Sequence, residues 1–227
     1  LSSEFKSELD IRYKHQCGVI ATSVFTDKPV SMKYRGVFKL HERCVGKLHY
    51  IQDAGIRGNL DDILKASNIS KGLFYHHFAN KNELFVALYT QAAKEITEKT
   101  LEIFEAENLD LISFAKKYMQ MQFFLSQRTP YLFSFLKRAE GEKIEEIQEV
   151  MEHVLSQRHQ WMTERLDWQC LRKGVTKEQA ISLVTWVAEG FTNELLEKGE
   201  CFAEENYLSF CAYLDIMAES ILEKRGE

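Results

Sequence analysis

The chain has 227 residues, of which 45% are apolar and 28% charged, and its net charge is −5. That apolar share is enough for a sizeable core and excludes a disordered chain, while the net acidity excludes a general nucleic-acid coat protein. Only two prolines, Pro29 and Pro130, interrupt it, and the five cysteines (Cys17, Cys44, Cys170, Cys201 and Cys211) form no close pair, which favours helices over a loop-rich β fold and reduced thiols over a zinc or redox motif.

Residues 1–31 show no clear period and read as an N-terminal extension of unclear role. The apolar run "CGVIATSVF" within them is too short to span a membrane, and the acidic residues before it argue against a secretion signal. A soluble, cytoplasmic protein is therefore expected, with no membrane partner. From Val37 the residues Leu40, Cys44, Leu48 and Ile51 recur at three- and four-residue spacing, one face of a first helix, which Gly55 and Gly58 end. Asn59 then reads as an N-cap, followed by Asp61 and Asp62 where carboxylates suit the helix dipole. This second helix, about Leu60 to Ser67, is only two turns long. After a tight turn, Ser70 caps a third short helix reaching about His77. Asn80 and Glu83 have capping-box spacing and open a long helix to about Phe104.

The remainder reads as helices throughout. One spans about Leu109 to Gln127, and Thr129–Pro130 starts a short one that ends near Glu140–Gly141. The next is predicted from Glu142 to about Arg172, roughly 45 Å at 1.5 Å per residue. Gly174 stops it, and Thr176 with Gln179 caps a helix to Lys198. The last covers Glu204 to Lys224. The outcome is an all-α fold of about nine helices: a helix-turn-helix domain over residues 32–80 and a larger helical domain over 81–227. Charge is uneven along the chain, since residues 1–100 hold 15 Lys and Arg against 11 Asp and Glu, and the rest 14 against 23. A basic front and an acidic rear suggest that only the front meets a polyanion.

Two short helices joined by a tight turn bury little alone and need the helices on either side, as in a helix-turn-helix. Helix spacing turns Leu60, Ile63, Ile69, Phe74 and Phe78 inward. It leaves Lys71, Gly72, Leu73, Tyr75 and His76 toward a DNA major groove, with Leu73 suited to a thymine methyl. Lys81, in the first turn of the next helix, can reach a phosphate. His76 and His77 point about 100° apart on a helix, so a shared metal is disfavoured, and no metal or cofactor is expected. No nucleophile elbow, zinc-protease motif or phosphate loop is present, so catalysis is not expected.

The stretch "LDDILKASNISKGLFYHHFANKNELFVALY" resembles the DNA-binding signature of the TetR family of bacterial transcription regulators. The resemblance covers about thirty contiguous residues. It implies a homodimer that binds operator DNA, usually as a repressor, and releases it when a small molecule enters the larger domain. It further implies that Lys71, Tyr75, His76 and Lys81 touch the DNA backbone, with Ser70, Gly72 and Leu73 nearest the bases. The chain departs from the family in its first helix, where Cys44 and Gly46 replace paired small residues, and in the cap, where Asn59 replaces Thr or Ser.

In the larger domain, Met119, Phe123, Phe133, Met151, Trp161 and Met162 are the candidate lining of an effector pocket, as adaptable walls. Arg128, Lys137, Arg138, Arg158 and Arg165 lie close enough in sequence to recognise an acidic effector. The helices Thr176–Lys198 and Glu204–Lys224 are apolar around more than one face, which implies burial against a second copy. The rival reading is a dimeric helical small-molecule-binding protein or enzyme whose helix-turn-helix no longer reads DNA.

Overall fold

Polar caps decide where most of the helices begin. The structure, a computed structural model, describes residues 59–67, 69–106, 108–128, 132–198 and 203–223. Asn59 Oδ1 accepts from the Asp61 N–H at 3.0 Å and opens α1 (Leu60–Ser67). The Ile69 N–H returns to the Leu64 carbonyl at 2.9 Å, the six-to-one bond that closes a helix end. Ser70 caps α2 (Lys71–His77) through the Leu73 N–H. Asn80 caps α3 (Lys81–Ala106) through the Glu83 N–H at 3.0 Å, while the Glu83 carboxylate reaches back to the Ala79 N–H at 2.6 Å. Asn80 thus makes its half of the capping box, while Glu83 reaches one residue past the cap, to Ala79 rather than to Asn80.

Asp110 caps α4 (Leu111–Arg128) through Ser113, and α5 (Leu132–Gly141) and α6 (Glu145–Arg165) follow, joined by a turn in which Lys143 takes φ 53°. Thr176 and Gln179 form a complete capping box on α7 (Lys177–Glu197), and α8 (Glu204–Ile221) is the last helix. The all-α class is borne out, with eight helices among the described residues. The expected first helix, Val37–Ile51, and the Thr129–Pro130 start lie outside them.

One predicted element is corrected. The helix expected from Glu142 to Arg172 ends at Arg165, because Leu166 turns extended with ψ 151°. Three bonds take the backbone away from the helix there. The Asp167 N–H donates to the Leu109 carbonyl at 2.8 Å, the Trp168 indole N–H donates to Thr163 O at 3.2 Å, and Asp167 Oδ1 accepts from the Gln169 N–H at 2.9 Å. Leu171 then pairs antiparallel with Leu222, flanked by Arg172 N–H to Ile221 O at 2.9 Å and Glu223 N–H to Cys170 O at 2.8 Å. Gly174, at φ +93°, makes the left-handed turn into α7, a conformation that glycine adopts without strain.

The long helix α3 packs along α6 and also against α4 and α5. Its inner face carries Leu84, Phe85, Leu88, Tyr89, Ala92 and Ala93. Near its start, Phe85 meets Phe135 of α5 at 5.2 Å between ring centroids. Toward its end, Phe104 stacks on Phe114 of α4 at 4.5 Å. On the other side of α4, α7 and α8 close the core around Ile181, Val184, Phe210 and Leu214. Each such side chain contributes about 1.5–3 kcal/mol when fully buried.

Candidate nucleic-acid interface

Phe74 within α2 and Phe78, the residue that ends it, stand four residues apart and are both buried, with ring centroids 5.6 Å apart. Ile63, Leu64 and Ile69 are buried beside them in sequence. That anchoring leaves the opposite side of α2 outside. Lys71, Gly72, Leu73, Tyr75 and His76 are all exposed, as the spacing predicts. Leu73 is 40% and Tyr75 58% exposed, large side chains held in water on a capped helix. The Tyr75 ring stands edge-on to Phe74 at 5.0 Å, which fixes its base while its hydroxyl end stays outside.

The other predicted residues differ in their surroundings. Ser70 is exposed, and its hydroxyl accepts from the Leu73 N–H at 3.2 Å, so it sets the start of the helix. A Cβ built on Gly72 would meet nothing within 4 Å. Glycine there matters only for what approaches from outside. His76 is exposed and His77 half-buried, with their rings edge-on at 4.8 Å. Lys81 is half-buried in the first turn of α3. Lys71 Nζ lies 2.9 Å from Asp61 Oδ2 of α1. The hydrogen bond to that carboxylate, and then its charge, hold the Lys71 ammonium above its ordinary pKa. Sequence reasoning read Asp61 only as a dipole partner of its own helix and missed this pairing.

Within the larger domain, Met119, Phe133 and Met162 lie in one buried cluster with Phe123 packed against it. Trp161 is buried and meets Phe104 at 6.0 Å. Met151 is half-buried on α6 and is not part of that cluster. Polar groups run through the same helices. Arg158 Nη1 donates to the Tyr118 hydroxyl at 3.1 Å, and its guanidinium lies 5.5 Å from that ring centre. One residue earlier, the Gln157 Oε1 is buried with no hydrogen-bond donor among the described residues. The Tyr89 hydroxyl of α3 donates to Glu140 Oε1 of α5 at 3.3 Å.

Burial raises the Glu140 carboxyl above the usual carboxylate range, and burial likewise raises Glu95. A carboxyl whose folded pKa is raised binds its proton more tightly in the folded chain, so stability falls as pH rises from the unfolded carboxylate value through the folded one. Glu140→Gln keeps an acceptor for Tyr89 and removes the titration. Its expected effect is a shallower loss of melting temperature as pH rises above the ordinary glutamate range. An unchanged pH profile would show that Glu140 is not the group responsible.

Comparison with known proteins agrees with this geometry. Residues 50–88 match the family described as bacterial regulatory proteins, tetR family. Residues 1–56 match a second description, the phage GNAT-like domain. The Val37–Ile51 stretch read as the first helix therefore lies wholly within the second match, and only its last two residues fall in the first. No curated protein matches the chain. Among solved structures, it is similar to a protein of Pseudomonas aeruginosa PAO1 assigned as a transcriptional regulator, with TM-score 0.60, 17% identity, and 81% of this chain and 90% of that one covered. It is similar to the reduced form of NemR from E. coli, with TM-score 0.56, 16% identity, and 83% and 100% covered. It is also similar to SmeT, the repressor of the Stenotrophomonas maltophilia multidrug efflux pump SmeDEF, with TM-score 0.53, 15% identity, and 83% and 91% covered. The segment that holds the buried Phe74–Phe78 anchor and the exposed face of α2 therefore resembles the bacterial regulatory proteins of the tetR family, and the chain as a whole has the all-helical fold of these solved structures.

Proposed function

We propose that the protein is a ligand-responsive DNA-binding transcriptional regulator, a repressor released from a near-palindromic operator by a small molecule. The observation that carries this reading is the outward face of α2, where Leu73, Tyr75 and His76 are exposed over the buried Phe74. A stable soluble surface has no use for such a cluster, whereas a DNA groove accepts an apolar contact to bases flanked by polar contacts to phosphate. Residues 32–80 act as the DNA-binding domain and 81–227 as the ligand-binding and dimerisation domain.

The protein works as a homodimer through α7 and α8. Leu183 and Trp186 on α7, with Leu208, Tyr213 and Ile216 on α8, are large side chains exposed on the single chain, and a second copy covers them. Two reading helices then address half-sites about one DNA turn apart. The effector enters among α4, α5 and α6, where Met119, Phe123, Phe133, Met151, Trp161 and Met162 supply apolar walls. The buried Gln157 oxygen there asks for a donor. Repression follows from competition with polymerase for the same DNA, and one structural neighbour is itself a repressor. Induction follows when the effector favours a state whose reading helices no longer match the half-site spacing.

Anisotropy with DNA from the gene's own upstream region, over a salt series, tests the reading. A footprinted site with near-twofold symmetry supports it. Tyr75→Ala and Lys81→Ala are expected to weaken operator and unrelated DNA alike, and Lys81→Ala, which removes a charge, also to flatten the salt slope by about 0.9. Leu73→Ala is expected to change base preference instead, and a loss that is equal on every sequence would remove Leu73 from base reading. The match of residues 1–56 to another domain favours a second reading, a helical small-molecule-binding protein or enzyme without operator recognition. Weak binding, equal on all DNA, selects it.

A further inference from the structure

The cation that leads the reading helix is already engaged. Lys71 is the first residue of α2, and its ammonium lies 2.9 Å from Asp61 Oδ2 on α1, with the two side chains 63% and 55% exposed. That is the length of a full charge-assisted hydrogen bond, at a place open to whatever docks on α2. Asp62, exposed next to Asp61, adds a second negative charge in the same helical turn.

We propose that Asp61 is an internal competitor for the DNA phosphate at Lys71, a built-in brake on backbone binding. The inference rests on the DNA-reading function given above. A phosphate that reaches Lys71 must displace a carboxylate that offers the same charge and the same acceptor geometry. The exchange gains little, and the released Asp61 is left facing a polyanion. Lys71 therefore adds less to affinity, and less to the salt slope, than a cation that stands alone. The brake acts on the DNA backbone and so has no sequence preference.

The test uses the full chain as wild type, Asp61→Asn, Lys71→Gln and the double variant. Each is titrated with an operator duplex and with an unrelated duplex of equal length over a salt series. Asp61→Asn is expected to tighten both duplexes by the same factor and to steepen the slope by up to about 0.9, the value for one phosphate, which is up to about eightfold at 0.1 M salt. In the Lys71→Gln background the same substitution is expected to do nothing. Asp61→Ser, a second short polar replacement, is expected to behave like Asp61→Asn, so a folding defect in one variant leaves the result readable.

Unchanged affinity in Asp61→Asn overturns the brake. A gain that survives in Lys71→Gln also overturns it, since the carboxylate then acts by general repulsion. A gain confined to the operator overturns it too, because Asp61 then touches a base. All three outcomes leave DNA binding itself standing. If neither wild type nor any variant binds either duplex, the DNA-reading function fails, and the brake with it.

Discussion

Phe74→Ala is expected to destabilise the chain by about 3–5 kcal/mol, the range for removing a buried phenylalanine, and to abolish DNA binding. Phe74 is fully buried, and its ring contacts Tyr75 at 5.0 Å and Phe78 at 5.6 Å. α2 has only seven residues, far below the length at which a helix is stable in water, so its shape depends on that anchor. Losing the ring leaves a cavity and frees the outward face to wander, which removes the geometry that Leu73, Tyr75 and His76 need. Urea denaturation followed by circular dichroism gives the stability, and hydrogen exchange over residues 69–78 locates the loss. A cost below about 1 kcal/mol would place Phe74 outside the well-packed class. Phe74→Leu retains most of the volume and is expected to recover much of both properties.

If the chain dimerises through α7 and α8 as proposed, Trp186→Glu or Ile216→Glu is expected to separate the dimer into 26.5 kDa chains. The two side chains are 67% and 69% exposed, on α7 and α8 respectively. In the proposed interface a carboxylate at either position would be desolvated without a partner, and hot-spot losses of this kind reach about 2 kcal/mol or more, at least about thirtyfold in dissociation constant. Operator affinity falls further, because the second half-site is no longer tethered to the first. Both positions face water in the single chain, so the melting temperature of the monomer should hold. Sedimentation that still shows twice the chain mass would exclude these residues from the interface.

Local features were legible in the sequence and long-distance ones were not. Ser70, Asn80 with Glu83, and Thr176 with Gln179 are caps whose partners lie within four residues, and the structure shows each at work. Most of the inward set of the helix-turn-helix follows from spacing alone: Ile63, Ile69, Phe74 and Phe78 are buried as expected, while Leu60 is half-buried. The extension of α6 past Arg165 failed because Leu166, Trp168 and Leu171 continue the apolar rhythm of a helix. What breaks the helix there is a carbonyl at Leu109 and a strand-like pairing with Leu222, neither of which leaves a local trace. Asp61 with Lys71, and Tyr89 with Glu140, are likewise joined only by the fold.

The pairing of Leu171 with Leu222 has a consequence for assembly. It spans both α7 and α8 and closes a loop of about fifty residues, whose ends cost about 3.5 kcal/mol of chain entropy to bring together before any fixed constant. Because folding has already met that cost, the two helices would meet the second copy of the proposed dimer as one preorganised platform. Association then orders side chains rather than backbone, and the free energy otherwise consumed by ordering remains as affinity. Substitutions that loosen the pairing should therefore weaken the dimer from a distance, without touching the face that meets the partner.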